Sequence, residues 1–395
     1  MIAKTLAVIG EEVNARFFER RPVVEALTLA VLAKEHVFIL GPPGTGKSQL
    51  TREFLGRITG ATYFEQLLSK TRPDQAILGP YDLPALRDHG VFRRKIDGFL
   101  LTADFAFLDE IGKMSATTGH DLLAALNERV RHEVDGSASV HPIPLRTAVT
   151  ASNELPAGES EDAEALWDRL LVRVAVDYIA EPGNFAALLA SAVADPLRVT
   201  ATTVPFADLA DVVDNHIPLI PVPTVVIEAV LTLRHELATA GIRPSDRRWR
   251  ASMRLTQAAA FMTGRERVEV DDIGVLRYSL WDTPDQRPLV ERAALKIANP
   301  LNEECMVIMD SVVGIRAEMT SRRGKSLAQR AGYGSEALAK LKNLQRDTAR
   351  LRQRCLNAGR STTRADEVGD EITATVRTVY VDCLDMDPAK VGDMK

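Results

Sequence analysis

Cysteine is nearly absent from this 395-residue chain: three residues, Cys305, Cys355 and Cys383, odd in number, far apart and confined to its last quarter. That excludes a disulfide framework and the paired spacings of a zinc site, and leaves free thiols of a reducing compartment. Aromatic residues are scarce at 5%, which argues against an all-β sandwich and suits a helix-rich chain. No apolar run approaches the roughly 20 residues of a spanning helix. The N-terminal apolar stretch is too short for a secretory core and is followed at once by acids, so the chain reads as cytoplasmic. Neither sign of charge dominates. With 49 basic and 54 acidic residues the formal charge is −5, which disfavours a globally basic nucleic-acid binder. The seven histidines are scattered, none with Cys or paired carboxylates at metal-ligand spacing.

The composition that remains is that of a globular protein, 46% hydrophobic and 26% charged, long enough for two or three domains. Residues 5–35 carry apolar positions at helical spacing, Leu6, Val13 and Phe17 among them. The short run His36 to Leu40 ends at Gly41-Pro42-Pro43-Gly44, as a buried strand does where it stops at a loop. From Ser48 the pattern is helical. Further strands are expected at Tyr63 to Leu67, Phe105 to Leu108, Leu145 to Ser152 and Val172 to Ile179, with a helix from Ser115 to Arg129. This alternation predicts an α/β fold, a five-stranded parallel sheet with helices on both faces. Beyond the proline-rich stretch from Pro218 to Pro223 the chain reads as helical. A helix is expected from about Thr224 to Ala240, a second from the N-cap residues Ser245-Asp246 to Gly264, and a third capped by Asp271 or Asp272. The expected organisation is a core over 1–185, a helical lid over 186–283 and a helical extension over 284–395. That extension is polarised: 315–364 holds thirteen Lys/Arg against three acids, and from Ala365 the sign reverses.

The octet Gly41-Pro42-Pro43-Gly44-Thr45-Gly46-Lys47-Ser48 fits the phosphate-loop pattern. Glycines let backbone N–H groups curl around phosphate oxygens, and the following helix aims its positive end at the same anion. Lys47 would reach the β- and γ-phosphates of ATP, and Ser48 would ligate Mg²⁺. A dinucleotide reading fails, because Gly44 and Gly46 have no third glycine at the required spacing. Asp109, ending the third apolar run, would hold the Mg²⁺ water shell, and Glu110 would orient and deprotonate the attacking water.

Five stretches extend the pattern: GPPGTGKS (41–48), FLDEIGKM (107–114), LLAALNERV (122–130), TASNELP (150–156) and LWDRLLVRV (166–174). With SDRRWRASMRL (245–255), they resemble the MoxR family of AAA+ ATPases, RavA-like subgroup, over roughly residues 10–285. The resemblance implies that Asn153 is sensor 1, helping to position the water. It implies that Arg169 is the arginine finger reaching a neighbouring subunit, with Arg173 as competitor; either could instead be a structural ion pair. It implies that Arg247 is sensor 2, touching the nucleotide, with Arg248 and Arg250 adjacent. Residues 72–101 resemble the helix-2 insert that projects into a central pore. Glu128 to Leu145, with Asp135-Gly136 in its middle, reads as a hairpin by turn chemistry and resembles the hairpin preceding sensor 1. The implied function is a ring oligomer, a hexamer, that uses ATP hydrolysis to remodel a protein client, with a von Willebrand factor A domain partner. Two rivals stand beside it. One is a nucleic-acid motor using the basic 315–364 stretch, in which Tyr333 is the single aromatic. The other is a nucleotide-gated scaffold with negligible turnover, against which Asp109, Glu110 and Asn153 argue.

Overall fold

The computed structural model describes residues 1–69, 74–91, 93–113, 116–132, 140–155, 161–193, 201–322, 324 and 326–386. Two helices, α1 (Ile2–Asn14) and α2 (Arg21–Ala33), precede β1 (Val37–Leu40). The phosphate-loop octet then leads into α3 (Lys47–Leu55), β2 (Ile58–Thr59) and β3 (Tyr63–Leu67). Two short helices, α4 (Gln75–Leu78) and α5 (Leu83–His89), occupy the connection to β4 (Phe105–Asp109), where the insert was expected. Helix α6 (Ala116–Asn127) is followed by the antiparallel pair β5 (Val130–His132) and β6 (Val140–Pro142), then by β7 (Thr147–Ser152). The Asp135-Gly136 tip of that hairpin lies outside the described residues. Helix α7 (Glu161–Arg169), β8 (Val172–Ala175) and α8 (Pro182–Val193) come next.

Five strands pair in parallel in the order β3-β4-β7-β1-β8. Alternate side chains enter two separate cores, which is why the strands read as continuous apolar runs. Val37 and Ile39 pack with α1, α2 and α3, whereas Phe38 packs with Leu122 and Leu126 of α6 and with Leu166 and Leu170 of α7. Strand β8 ends at Ala175 rather than reaching Ile179. The next residue, Val176, donates its N–H to Leu40 O at 2.8 Å and lays its carbonyl against Gly41, so the chain turns over the phosphate loop.

Strand β9 (Val204–Pro205) pairs with β2 and enters α9 (Phe206–Asp211), α10 (Thr224–Thr239) and α11 (Asp246–Met262). The Ser245 hydroxyl caps α11 by accepting from Arg248 N at 3.1 Å. The third helical piece of this region is a 3₁₀ turn, Val270–Tyr278, and its cap is Glu269 rather than Asp271 or Asp272. Asp272 occupies the third position and its carboxylate accepts from Glu269 N at 2.8 Å, which gives it the appearance of a cap in the sequence. Helix α12 (Arg287–Ala298) closes this core around Trp281 and Val290. Helices α13 (Leu301–Ser321), α14 (Leu327–Asn357) and α15 (Thr363–Asp382) form a bundle with its own core of Val312, Ile315, Leu341, Val368, Ile372 and Val379. The three cysteines lie in it as buried free thiols. Among the described residues no single helix is long and apolar enough to cross a membrane.

Where α2 passes into β1, two adjacent residues titrate in opposition. His36 is buried, donates from Nε2 to Leu126 O at 2.7 Å and accepts from Ala148 N at 3.0 Å through Nδ1. A proton on Nδ1 would displace that donor, and burial together with Arg129 pushes His36 down to about 3 from 6.5. Its contribution to stability is full above about 6.5 and is lost as pH falls. Burial pushes Glu35 up to about 7 from 4.5, opposed by Arg129 and Arg254. Its contribution is full below about 4.5 and is lost as pH rises through 7. Glu35→Gln removes this counterweight. Urea unfolding of the variant should lose about 2 kcal/mol more than wild type between pH 6.5 and 5; equal losses in the two chains would refute the opposition.

Candidate active site

The first glycine of the loop has no room for a side chain. A Cβ on Gly41 would stand 2.5 Å from both the carbonyl oxygen and Cγ2 of Val176, and Gly41 N is held by Ser152 O at 3.0 Å. Gly44 and Gly46 take φ values of 80° and 81°, the left-handed region where L side chains are strained. Gly46 is the N-cap of α3, so the loop delivers that helix's N-terminus to its own concave side. Lys47 Nζ donates to Gly41 O at 2.6 Å and Pro42 O at 2.9 Å, an ammonium folded back over the loop. Burial lowers its pKa, with Asp109 and Glu110 opposing and Arg20 reinforcing.

Ser48 Oγ donates to Asp109 Oδ2 at 3.0 Å, bringing the ends of two elements 61 residues apart into one polar pair. A hydroxyl and a carboxylate are hard oxygen donors, so this pair suits Mg²⁺, directly or through its water shell. Glu110 follows in the left-handed region at φ 57°, a conformation that costs a non-glycine residue energy and concentrates at functional sites. Its N–H donates to Asp109 Oδ1 at 3.0 Å, and Lys113 Nζ stands 3.2 Å from its Oε2 without hydrogen-bond alignment. Asn153 is exposed immediately beyond β7, the strand next to both β1 and β4. The residues proposed for phosphate, metal and water therefore gather at the C-terminal ends of three adjacent strands.

Four arginines of the family pattern, Arg169, Arg173, Arg247 and Arg248, separate into different environments. Arg173 is fully buried in β8: it donates to Trp281 O at 2.5 Å, Asp282 Oδ1 at 2.7 Å and Trp167 O at 2.6 Å, and stacks over the Trp167 ring at 3.6 Å. Arg248, with a side chain 1% exposed, donates to the same Asp282 oxygen at 2.8 Å. Both hold the lid to the core. Arg169 and Arg247 are partly and fully at the surface, and Arg169 is lowered by burial first and by the nearby Arg247 second. Arg169 ends α7, just before Val172, which is registered with Val37 at the start of β1. Arg247 donates to Asn127 Oδ1 at 2.5 Å, next to the Leu126 carbonyl that binds His36. Both stand at the N-terminal ends of the strands, opposite the phosphate loop. Arg247, expected to touch the nucleotide, thus lies across the sheet from its own chain's loop.

Two residues went unread in the sequence. Arg20, 6% exposed, donates through Nε to Thr45 O of the loop at 3.3 Å and through Nη2 to Asp177 O at 2.7 Å. Glu19 accepts from the N–H groups of Ala180 and Glu181, both at 2.9 Å. In the sequence they stand in the run Glu19-Arg20-Arg21, which has the look of a solvated charge cluster, and no periodicity marks them.

A parallel sheet in this order, a glycine loop at the end of its central strand and a helical lid define a P-loop ATPase fold. The comparisons narrow it. Residues 4–210 match the family described as the MoxR domain in MoxR-vWA-β-propeller ternary systems, and residues 225–294 match an AAA lid domain. The chain belongs to the MoxR family of AAA+ ATPases. Two uncharacterized proteins of Methanocaldococcus jannaschii are similar to it. One is 30% identical over 372 residues, 93% of this chain and 94% of the relative. The other is 33% identical over 296 residues, 74% and 76% of the two chains. A crystal structure from Cytophaga hutchinsonii, provisionally assigned as an ATPase, superposes with a TM-score of 0.56 at 16% identity, covering 74% of this chain and 93% of that one. This last likeness is one of fold.

Gly41→Ala tests the fit of the loop. The new methyl meets a backbone oxygen that cannot rotate away, and overpacking of this kind costs about 1–3 kcal/mol. Affinity for a fluorescent ATP analogue should fall about tenfold or more, and unchanged affinity would show that the loop tolerates a Cβ there.

Proposed function

We propose that this chain is an Mg-ATP hydrolase of the RavA-like subgroup that works as a ring, a hexamer, to remodel or mature a protein client. The observation that carries the reading is the separation of one site into two half-sites at opposite ends of the sheet. One half is Lys47, Ser48, Asp109, Glu110 and Asn153; the other is Arg169 with Arg247. A second copy, placed head to tail, is what would bring them together, and repetition of that contact closes a ring. The domain layout that fits this reading is a core over 1–185, a lid over 186–283 and an extension over 284–395.

In this reading the loop N–H groups and Lys47 hold the phosphates, and Ser48 and Asp109 hold Mg²⁺. The metal, when bound, supplies charge neutralisation of the phosphate oxygens. Glu110 takes the proton of the attacking water, and Asn153 orients that water. Arg169 of the neighbouring copy meets the charge that develops on the γ-phosphate, with Arg247 beside it. The complete burial of Arg173 and its bonds to Trp281, Asp282 and Trp167 favour Arg169 over it as the finger.

The family's description supports a von Willebrand factor A domain partner and adds a β-propeller protein to the same system. A nucleic-acid motor gains no support from the basic stretch. Arg316, Arg350, Arg352, Arg354, Arg360 and Arg364 are paired within the chain, to Glu371, Asp347, Asp366, Glu304, Asp271 and Glu367.

Two variants test the chemistry. Glu110→Gln should retain ATP binding and reduce turnover at least about 100-fold, read by phosphate release against binding of a fluorescent analogue; undiminished turnover would remove Glu110 from the mechanism. Arg169→Ala should lose hydrolysis by about 1000-fold and regain part of it in mixed assemblies with wild-type subunits. Absence of any rescue at any mixing ratio would count against a finger acting between subunits.

A further inference from the structure

The C-terminal bundle is joined to the phosphate loop by a short series of polar contacts, in which Thr45 alone belongs to a sequence motif. It begins at Thr45, whose carbonyl accepts from Arg20 Nε at 3.3 Å. All described peptides are trans, so a carbonyl and the N–H that follows it point in opposite directions. Drawing the Thr45 carbonyl toward Arg20 therefore turns the Gly46 N–H away from it. N–H groups are what a phosphate loop offers to an anion, so the Arg20–Thr45 bond sets the direction of one of them.

The next contacts lie between β8 and α8. Arg20 Nη2 donates to Asp177 O at 2.7 Å. Val176, one residue earlier, is the group that fills the space beside Gly41. Glu19, at φ 59°, gathers the N–H groups of Ala180 and Glu181 at 2.9 Å each and the Asn184 side-chain amide at 3.0 Å, closing the start of α8. The carboxylate of Glu181 in turn pairs with Arg316 of α13 at 3.1 Å and accepts from Thr378 of α15 at 2.5 Å. Arg316 is held on the bundle side by Glu371 and by Thr375 Oγ1 at 2.9 Å. Residues 176–181 thus touch the loop at Gly41 and through Arg20, and touch the bundle at Glu181. A displacement of the bundle that carries Glu181 with it has a path to the loop through this segment.

We propose that the C-terminal bundle sets the nucleotide affinity of the phosphate loop through Glu181, Glu19 and Arg20, with Arg20 as the residue that positions the loop. This rests on the nucleotide reading above and assigns to residues 301–382 a part in it.

The test uses the full chain and a fluorescent ATP analogue, with steady-state hydrolysis alongside. The double variant Arg316→Gln/Thr378→Val lies wholly in the bundle. It should weaken the analogue about fivefold or more, in the range of ordinary coupling between sites, and raise KM in step while kcat stays within about twofold. Arg20→Gln should weaken binding at least as much, and in its background the bundle variants should add nothing further. Arg352→Gln, which breaks the bundle's pair with Asp366, should leave affinity unchanged. Circular dichroism checks folding, and Thr378→Val alone is the mild variant should the double one unfold. Wild-type affinity in the bundle variants, additive losses in the Arg20→Gln background, or an equal loss in Arg352→Gln would each overturn the proposal. A wild-type chain that binds no nucleotide at all would overturn the phosphate-loop reading first, and this proposal with it.

Discussion

Parallel pairing of β1 with both β7 and β8 makes the two ends of the sheet chemically unlike, and most of what this protein can do follows from that. At one end every strand delivers its last residue: Leu40 hands over to the glycine loop, Asp109 closes β4 and Asn153 follows β7. At the other end every strand begins, and helix C-termini are among the elements that arrive there, α6 with Asn127 and α7 with Arg169. A helix C-terminus carries a partial negative charge that favours cations, so Arg169 has a physical reason to sit where it does. The same arrangement denies it access to its own loop. Lys47 of the phosphate loop and Arg169 are thereby separated by the length of the strands, so the finger role proposed for Arg169 requires a second subunit.

Holding the lid in place is a different problem, solved by burying charge. Arg173 and Arg248 donate to the same oxygen of Asp282, and both guanidinia are almost wholly dry. Two cations this close repel, and burial together with Arg248 lowers Arg173 well below its ordinary value, with Asp282 opposing. What makes the arrangement tenable is hydrogen bonding to carbonyls: Trp281, Trp167 and Leu170 for Arg173, Leu170 and Leu171 for Arg248. Such a node adds little stability over an apolar contact, but it is intolerant of displacement. It fixes the register between β8 and α11, and so fixes where Arg247, one residue before Arg248, stands relative to Arg169.

Much of this was legible in the sequence because it is written in short local patterns. A run of apolar residues stopped by Gly41-Pro42 can be little other than a buried strand meeting a loop, and the octet carries its own chemistry. There Arg173 stands as a competitor to Arg169, since position relative to a strand edge is a property of register and burial. The β8 boundary was overestimated because Val176 to Ile179 keeps the apolar alternation of a strand while its backbone has already left to cover Gly41. Asp271 or Asp272 reads as the cap in the sequence because a third-position acid and an N-cap acid look alike until the partner N–H is known. Arg20 and Glu19 were invisible for a plainer reason: adjacent opposite charges beside a second arginine are the signature of a solvated surface, and only tertiary contacts with Thr45, Asp177 and α8 show otherwise.

The change of charge sign near residue 365 has a similar resolution. In the folded chain the basic helix α14 and the acidic start of α15 meet, with Arg352 bonded to Asp366 at 2.7 Å, while Arg364 pairs with Glu367 at 2.8 Å within α15. Arg360 reaches back to Asp271 and Arg354 to Glu304, so part of the excess is matched outside the last helix. Exposed pairs of this kind contribute little stability each, yet together they define which faces of three long helices come together. A charge pattern that reads along the chain as a footprint for a polyanion is, across the bundle, a rule for self-assembly. Arg316 pairs twice, with Glu371 inside the bundle and with Glu181 from outside it. At that residue the extension ceases to be a separate bundle and becomes attached to the segment that lines the phosphate loop.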